Sequence, residues 1–213
     1  MALSNEELAS LKEWYARYTD QLKAGLHMFD QLVEELKDQT SDKVGRKFIE
    51  GHSSRIKEFD SAFEKCKRKG EPQTKDGLKR LTDLAGARIV VDFEDNIKRL
   101  AEVLLAHERI SLVGESNYLS AKDSGYRAYH LDILFRTDDN KEVPIEIQIR
   151  TLLMDAWADL DHSIRYKPTV PIMDEKKCNK YFKIFGKVLF ELDRDLMDAR
   201  DMFDGIKKAN DID

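Results

Sequence analysis

The chain has 213 residues, 41% hydrophobic and 36% charged, which suits a soluble globular protein with one sizeable core and many exposed helix faces. No apolar run approaches the roughly 20 residues needed to span a bilayer, so the composition excludes a membrane-spanning helix. The net charge of -5 argues against a general nucleic-acid coat protein but leaves room for local basic patches. The start, MALSNEEL, carries no basic or apolar signal segment. Cys66 and Cys178 are the only cysteines and read as free thiols, which points to a reducing compartment, the cytosol.

Residues 3–37 place Leu8, Leu11, Tyr15, Tyr18, Leu22, Leu26, Phe29, Leu32 and Leu36 at intervals of three and four, one helical stripe. Gly25 weakens the middle of this helix and marks a candidate break. Further helices are predicted over 41–51, 59–69 and 75–81. "AGARIVVDF" (85–93) is a strand by its β-branched content. Residues 94–108 return to a helical period, with Ile97, Leu100, Ala101 and Leu104 on one side. "YRAYHLDILFR" (126–136) and "KEVPIEIQIRT" (141–151) form a predicted hairpin around a loop of about four residues, "TDDN". Helices follow over 151–163, with Trp157 and Leu160 as core residues, and over about 174–207. The last one spreads Phe182, Phe185 and Phe190 around its surface, most simply by packing on the sheet; a homo-oligomer is the alternative. With no repeat, low-complexity segment or linker, the chain reads as a single α+β domain: a mixed β-sheet flanked by helices, with long N- and C-terminal helices.

Polar residues gather in three blocks. Residues 52–80 hold nine Lys or Arg against five acids, a local surplus that suits a polyanion such as a triphosphate, although a solvated helix face has the same composition. Asp83 then stands at the mouth of the strand beginning at 85, a natural place for a Mg²⁺ ligand. Glu146, on the polar side of "VPIEIQIRT", is the candidate second carboxylate if the two strands lie close in one sheet. Gln148 and Arg150 continue that polar side, while Ile145, Ile147 and Ile149 point the other way. In "KDSGYRAYH" (122–130), Gly125 permits a sharp turn that presents Tyr126 to stack a nucleobase. Lys122 and Arg127 there reach phosphate, and period two sets Tyr126, Ala128, His130 and Asp132 on one face. Asp155, Asp159 and His162 share a face of the following helix, a hydrogen-bonded or solvated face rather than a metal site.

"DLAGAR", "SGYRAYH" and "EIQIRT…W…DH…RYK" together resemble the synthetase domain of the RelA/SpoT family, over roughly 50–168, with the helical extensions 1–50 and 174–207 outside the motifs. The closer likeness is to small, single-domain alarmone synthetases. The resemblance implies a nucleotidyltransferase-like fold and transfer of pyrophosphate from ATP to the ribose 3′-hydroxyl of GDP or GTP, giving (p)ppGpp and AMP in a cytoplasmic stringent response. Carried over by motif, Asp83 and Glu146 would hold Mg²⁺. Glu146 would alternatively take the hydroxyl proton, with Gln148 beside it. Arg55 and Arg88 would flank adenine, and Lys57, Lys65 and Arg68 would grip the ATP phosphates. Tyr126 would stack on guanine, with Lys122 and His130 on the acceptor phosphates. His162, Arg165 and Lys167 would shape the site or its entrance.

The family commonly reads "NGYRSLH" where this chain has Ser124 and Tyr129. Ser124 lies towards the acceptor and opens the question of its identity. Relatives on this scaffold include toxins that pyrophosphorylate the 3′ end of tRNA and would pair with an antitoxin. An adenine-nucleotide acceptor and a non-catalytic nucleotide sensor complete the alternatives.

Overall fold

The structure is a computed structural model that describes residues 3–120, 124–166 and 174–205. Helix α1, Asn5–Gln39, starts at a capping box: the Glu7 amide donates to Ser4 Oγ at 3.2 Å and the Ser4 amide to Glu7 Oε2 at 2.7 Å. Its stripe is buried from Leu11 to Leu36 except for the half-buried Tyr18. The helix runs through Gly25 without a break, and the glycine has a packing reason. A Cβ there would lie 2.5 Å from Val143 Cγ2, so the missing side chain lets α1 settle onto the sheet.

The helix expected over 41–51 is not formed. Asp42 Oδ1 accepts from the amides of Val44 and Arg46, both at 2.9 Å, and Gly45 takes a φ of 86°, which closes a turn instead. Strand β1, Ile49–Ile56, follows. Next come α2, Phe59–Lys69, and the short α3, Lys75–Lys79. Strand β2, Ala85–Val91, and helix α4, Glu94–Leu105, lie where their patterns put them. Strand β3, Ile110–Asn117, has no counterpart in the sequence reading. It leaves Leu112 and Val113 exposed and shifts register between Leu112 and Gly114, so it shows no clean alternation. The hairpin is formed by β4, Tyr129–Arg136, and β5, Glu142–Thr151. Tyr126 to Ala128 precede the first of these strands rather than belonging to it.

The five strands lie in the order β1-β2-β5-β4-β3. β2 and β5 are parallel and the other neighbours antiparallel. Ala87 and Ile89 of β2, Ile145, Ile147 and Ile149 of β5, and Leu131 and Ile133 of β4 join α1 and α4 in one apolar core. The alternate residues of the same strands, Arg88, Glu146, Gln148, His130 and Asp132, are only partly buried and make a polar face. The register sets Glu146 between Gly86 on one side and Asp132 on the other.

After β5 come α5, Leu152–Asp161, a π-helical turn over His162–Tyr166, and α6, Glu175–Phe203. Trp157 is buried as expected, but Leu160 is 45% exposed. α6 packs chiefly on α5 and α4 and meets the sheet at Thr151, burying Phe182, Gly186 and Asp193 while Tyr181, Ile184, Val188, Leu192 and Leu196 stay exposed. Gly186 sits against the backbone of Gly125, where a Cβ would come within 2.7 Å. The Trp157 indole N–H donates to the Phe182 carbonyl at 3.1 Å. α6 therefore clamps the loop that leads to Tyr126.

Candidate active site

Asp83 lies in the short connection between α3 and β2. The Lys57 amide donates to the Leu84 carbonyl at 2.8 Å, so the end of β1 is stitched to the start of β2 beside it. Tyr15 of α1 donates to the Lys57 carbonyl at 2.7 Å and fixes that corner. Two ammonium groups reach Asp83 Oδ2: Lys57 Nζ at 2.8 Å and Lys65 Nζ, from α2, at 2.5 Å. Asp83 Oδ1 is buried and accepts no hydrogen bond among the described residues. Burial pushes this carboxyl up, but the two lysines outweigh it and hold it below the usual aspartate value.

Asp83, Glu146, Gln148, Arg55 and Arg88 all line one cavity, together with Ser53, Ser54, Gly86 and Ala87. Parallel pairing of β2 with β5 brings this about, since Gly86 faces Glu146 and Arg88 faces Gln148. Arg55 enters from β1, opposite Gly86, and is exposed. The two carboxylates singled out from sequence thus share a site although 63 positions separate residues 83 and 146 (146 − 83).

Beyond Glu146 the polar face carries a ring of side chains, joined by hydrogen bonds except at one longer contact between His130 and Glu146. Gln148 Nε2 donates to Glu146 Oε2 at 2.8 Å, and Arg150 Nη2 donates to Gln148 Oε1 at 2.6 Å. The same nitrogen of Arg150 donates to Tyr126 Oη at 3.2 Å, and that hydroxyl lies 2.7 Å from His130 Nε2. An arginine can only donate, so the tyrosine hydroxyl accepts from it and can donate in turn to Nε2. That leaves Nδ1 of His130 carrying the proton that faces Glu146 Oε1, at 3.7 Å. Burial pushes the Glu146 carboxyl up, while His130 and Gln148 pull it down further, so it lies below the usual glutamate value. Burial raises the Tyr126 hydroxyl, which keeps it a donor.

The structure does not gather every predicted residue. Arg68 is exposed on the last turn of α2 and outside the cavity lining. Lys122 and Lys167 lie outside the described residues. Arg127, expected to reach phosphate, is buried with a 3% exposed side chain and turned away into the fold. Its Nε donates to the Leu119 carbonyl at 2.6 Å, and its two other nitrogens pair with Glu94 at 2.5 Å and Asp193 at 3.3 Å. Lying just before β4, Arg127 points to the side opposite Tyr126 and His130, and a buried guanidinium needs those acids. Asp155 and Asp159 form the hydrogen-bonded helix face expected, both holding Arg88. Arg165 pairs with Asp161 and Asn179 and stacks over Phe182 at 4.9 Å, which ties α5 to α6.

Sequence reasoning placed Arg150 only in the polar wall of β5 and gave Asp132 and Tyr118 no role. Arg150 is the hub of the ring, and its place on the polar side of β5, two positions from Gln148, was the available signal. Asp132 pairs across from Glu146, and its carboxyl is raised by burial and by the Glu146 charge. Its sharing a face with His130 was the signal there. Tyr118 stands edge-on to His130 at 5.2 Å and 6.2 Å from Tyr126, at the end of a strand the sequence did not reveal.

Comparison with known proteins gives the chain a family and relatives of the same fold. Residues 54–170 match the family model described as a region found in RelA / SpoT proteins. GTP pyrophosphokinase YjbM of Bacillus subtilis (strain 168) is 34% identical over 176 residues, covering 78% of this chain and 79% of that protein. Among solved structures, small alarmone synthetase 1 from Bacillus subtilis bound to its product pppGpp superposes with a TM-score of 0.79 at 29% identity, over 88% of this chain and 97% of that one. A GTP pyrophosphokinase family protein from Streptococcus pneumoniae gives a TM-score of 0.77 at 28% identity, over 89% and 94%. The matched segment contains both cavity carboxylates and the whole ring of polar side chains, and the chain belongs to the RelA/SpoT family.

Proposed function

We propose that the chain transfers pyrophosphate from ATP to the ribose 3′-hydroxyl of GDP or GTP, releasing AMP and forming (p)ppGpp. The observation that carries this reading is the shared cavity: Asp83 and Glu146 lie between an arginine pair, Arg55 and Arg88, and the ring that includes Tyr126 and His130. The relatives' names support it, one a GTP pyrophosphokinase and one an alarmone synthetase holding pppGpp. They give the tRNA-modifying alternative no support.

In this reading Arg55 and Arg88 bind the adenine end of ATP, with Lys57, Lys65 and Arg68 serving its phosphates. Tyr126 stacks the acceptor base, and His130 and Lys122 serve the acceptor phosphates. The 3′-oxygen forms a bond to the β-phosphorus as the bond from that phosphorus to the oxygen retained by AMP breaks. Glu146 takes the hydroxyl proton; its lowered pKa keeps it ionised at neutral pH, and the hydrogen bond from Gln148 aims it, with His130 nearby. Most of the remaining acceleration is positioning and neutralisation of charge on the phosphate oxygens.

Asp83 and Glu146 fit Mg²⁺. The buried, unpartnered Asp83 Oδ1 is a hard oxygen donor at the cavity, and this ion takes one or two carboxylates alongside phosphate oxygens. Bound there, it would neutralise charge on the donor phosphates.

The test gives the protein Mg²⁺ and ATP labelled at the β-phosphate, with GDP, GTP or deacylated tRNA as acceptor. Label should move to the guanine nucleotides, and Glu146→Gln should lower the rate by about 10²–10⁴-fold while ATP binding persists. Normal turnover by that variant, or label on tRNA alone, overturns the reading.

A further inference from the structure

We infer that Asp155 is a positioning residue that couples the donor and acceptor halves of the site, because one carboxylate oxygen is shared by Arg88 and Arg150. The inference rests on the proposed transfer reaction for the identity of the two halves. Asp155 Oδ1 lies 3.1 Å from Arg88 Nη1 and 3.2 Å from Arg150 Nη1. Arg88 lines the cavity beside Arg55, on the donor side. Arg150 belongs to the neighbouring strand, and its other terminal nitrogen holds Gln148 and Tyr126 on the acceptor side.

A guanidinium is planar and rigid, so anchoring Nη1 fixes the direction in which Nη2 points. Arg150 is enclosed, with a 5% exposed side chain, and its Nε is buried without a partner. Its orientation therefore leaves one donor unused in order to reach Asp155, Gln148 and Tyr126 together. Arg88 is 33% exposed and has room to respond to a ligand, whereas Asp155 and Arg150 behind it have little. A ligand that fixes Arg88 fixes Asp155, and through it Arg150 and the Tyr126 hydroxyl. The second nucleotide then meets a site already ordered, which is positive coupling. Asp159 does not share this role: it also holds Arg88, at 2.8 Å, but it is 61% exposed and no bond to Arg150 is formed among the described residues.

Calorimetric titration tests this with a non-hydrolysable α,β-methylene analogue of ATP and with GDP, each alone and each in the presence of the other. In the wild-type protein each ligand should tighten the other by about 5-fold or more, and by the same factor in both directions. Asp155→Asn should bring that factor to within about twofold of unity, and Asp159→Asn should keep it. If thermal melts show Asp155→Asn to be unfolded, Arg150→Lys carries the same test, since a lysine cannot bridge two partners with a fixed fork. Independent binding in the wild type, or full coupling in the bridge variant, overturns the inference while leaving the activity intact. Binding of neither nucleotide by the wild type overturns the transfer reaction, and the inference falls with it.

Discussion

The two faces of β5 do different work one residue apart. Ile145, Ile147 and Ile149 are at most 1% exposed and meet the core under α1. Glu146, Gln148 and Arg150 point the other way and are held by directional bonds to one another and to Tyr126. On the apolar face, free energy comes from area removed from water and from close packing, and no single bond direction matters. On the polar face each side chain fixes the next. Damage to the first face should therefore appear as lost stability, and damage to the second as lost chemistry.

The largest effect on stability is expected from Phe29→Ala. Phe29 is fully buried on α1 and meets Phe135 of β4 edge-on at 5.7 Å. Removing the ring should destabilise the fold by about 3–5 kcal/mol, read from urea denaturation. AMP release per folded molecule should be unchanged. A drop in turnover beyond the unfolded fraction would show that the two faces are mechanically linked and would break the comparison.

Much of this division was legible in the sequence, because period two separates the faces of a strand before any fold is known. It put Glu146 and Gln148 on one side and the isoleucines on the other, and it set His130 and Asp132 together. It failed where alternation fails. β1 has few β-branched residues and β3 exposes Leu112 and Val113, so neither announces itself. The pairing of Asp83 with Glu146 could be framed only as a condition on strand neighbours, because register is a tertiary fact. Arg127 shows the opposite error. A basic residue beside Tyr126 suggests phosphate, yet the partners that bury it, Glu94 and Asp193, are 33 and 66 positions away.

Asp193 offers the next effect, and it probes a third region, the α6 clamp behind the acceptor loop. Burial raises its carboxyl to about 6, although the Thr151 hydroxyl at 3.0 Å and Arg127 pull the other way. A carboxyl raised in the folded state binds its proton more tightly there than in the unfolded chain. Its contribution to stability is complete below about pH 4 and is lost as pH rises through about 6. Asp193→Asn should remove that dependence. The stability difference between variant and wild type should change by about 2 kcal/mol between pH 4 and pH 7, by urea denaturation at each pH. Parallel curves would mean that Arg127, rather than burial, decides the charge of Asp193.

The smallest effect on stability is expected at the residue with the largest effect on chemistry. Glu146 has a lowered carboxyl, so its ionised form favours the folded state. That contribution is present above the unfolded pKa and is lost as pH falls through the lower, folded value. In Glu146→Gln the new amide would keep an oxygen for the Gln148 side chain, and Asp83 and Asp132 would lose a like-charged neighbour, which offsets much of the loss. The substitution should therefore shift stability at pH 7 by no more than about 1 kcal/mol, with the shift vanishing in acid. If the same preparation has lost transfer, chemistry and stability separate across a single strand. A loss of several kcal/mol would instead make Glu146 a structural member of the ring, and its effect on turnover could no longer be assigned to proton transfer.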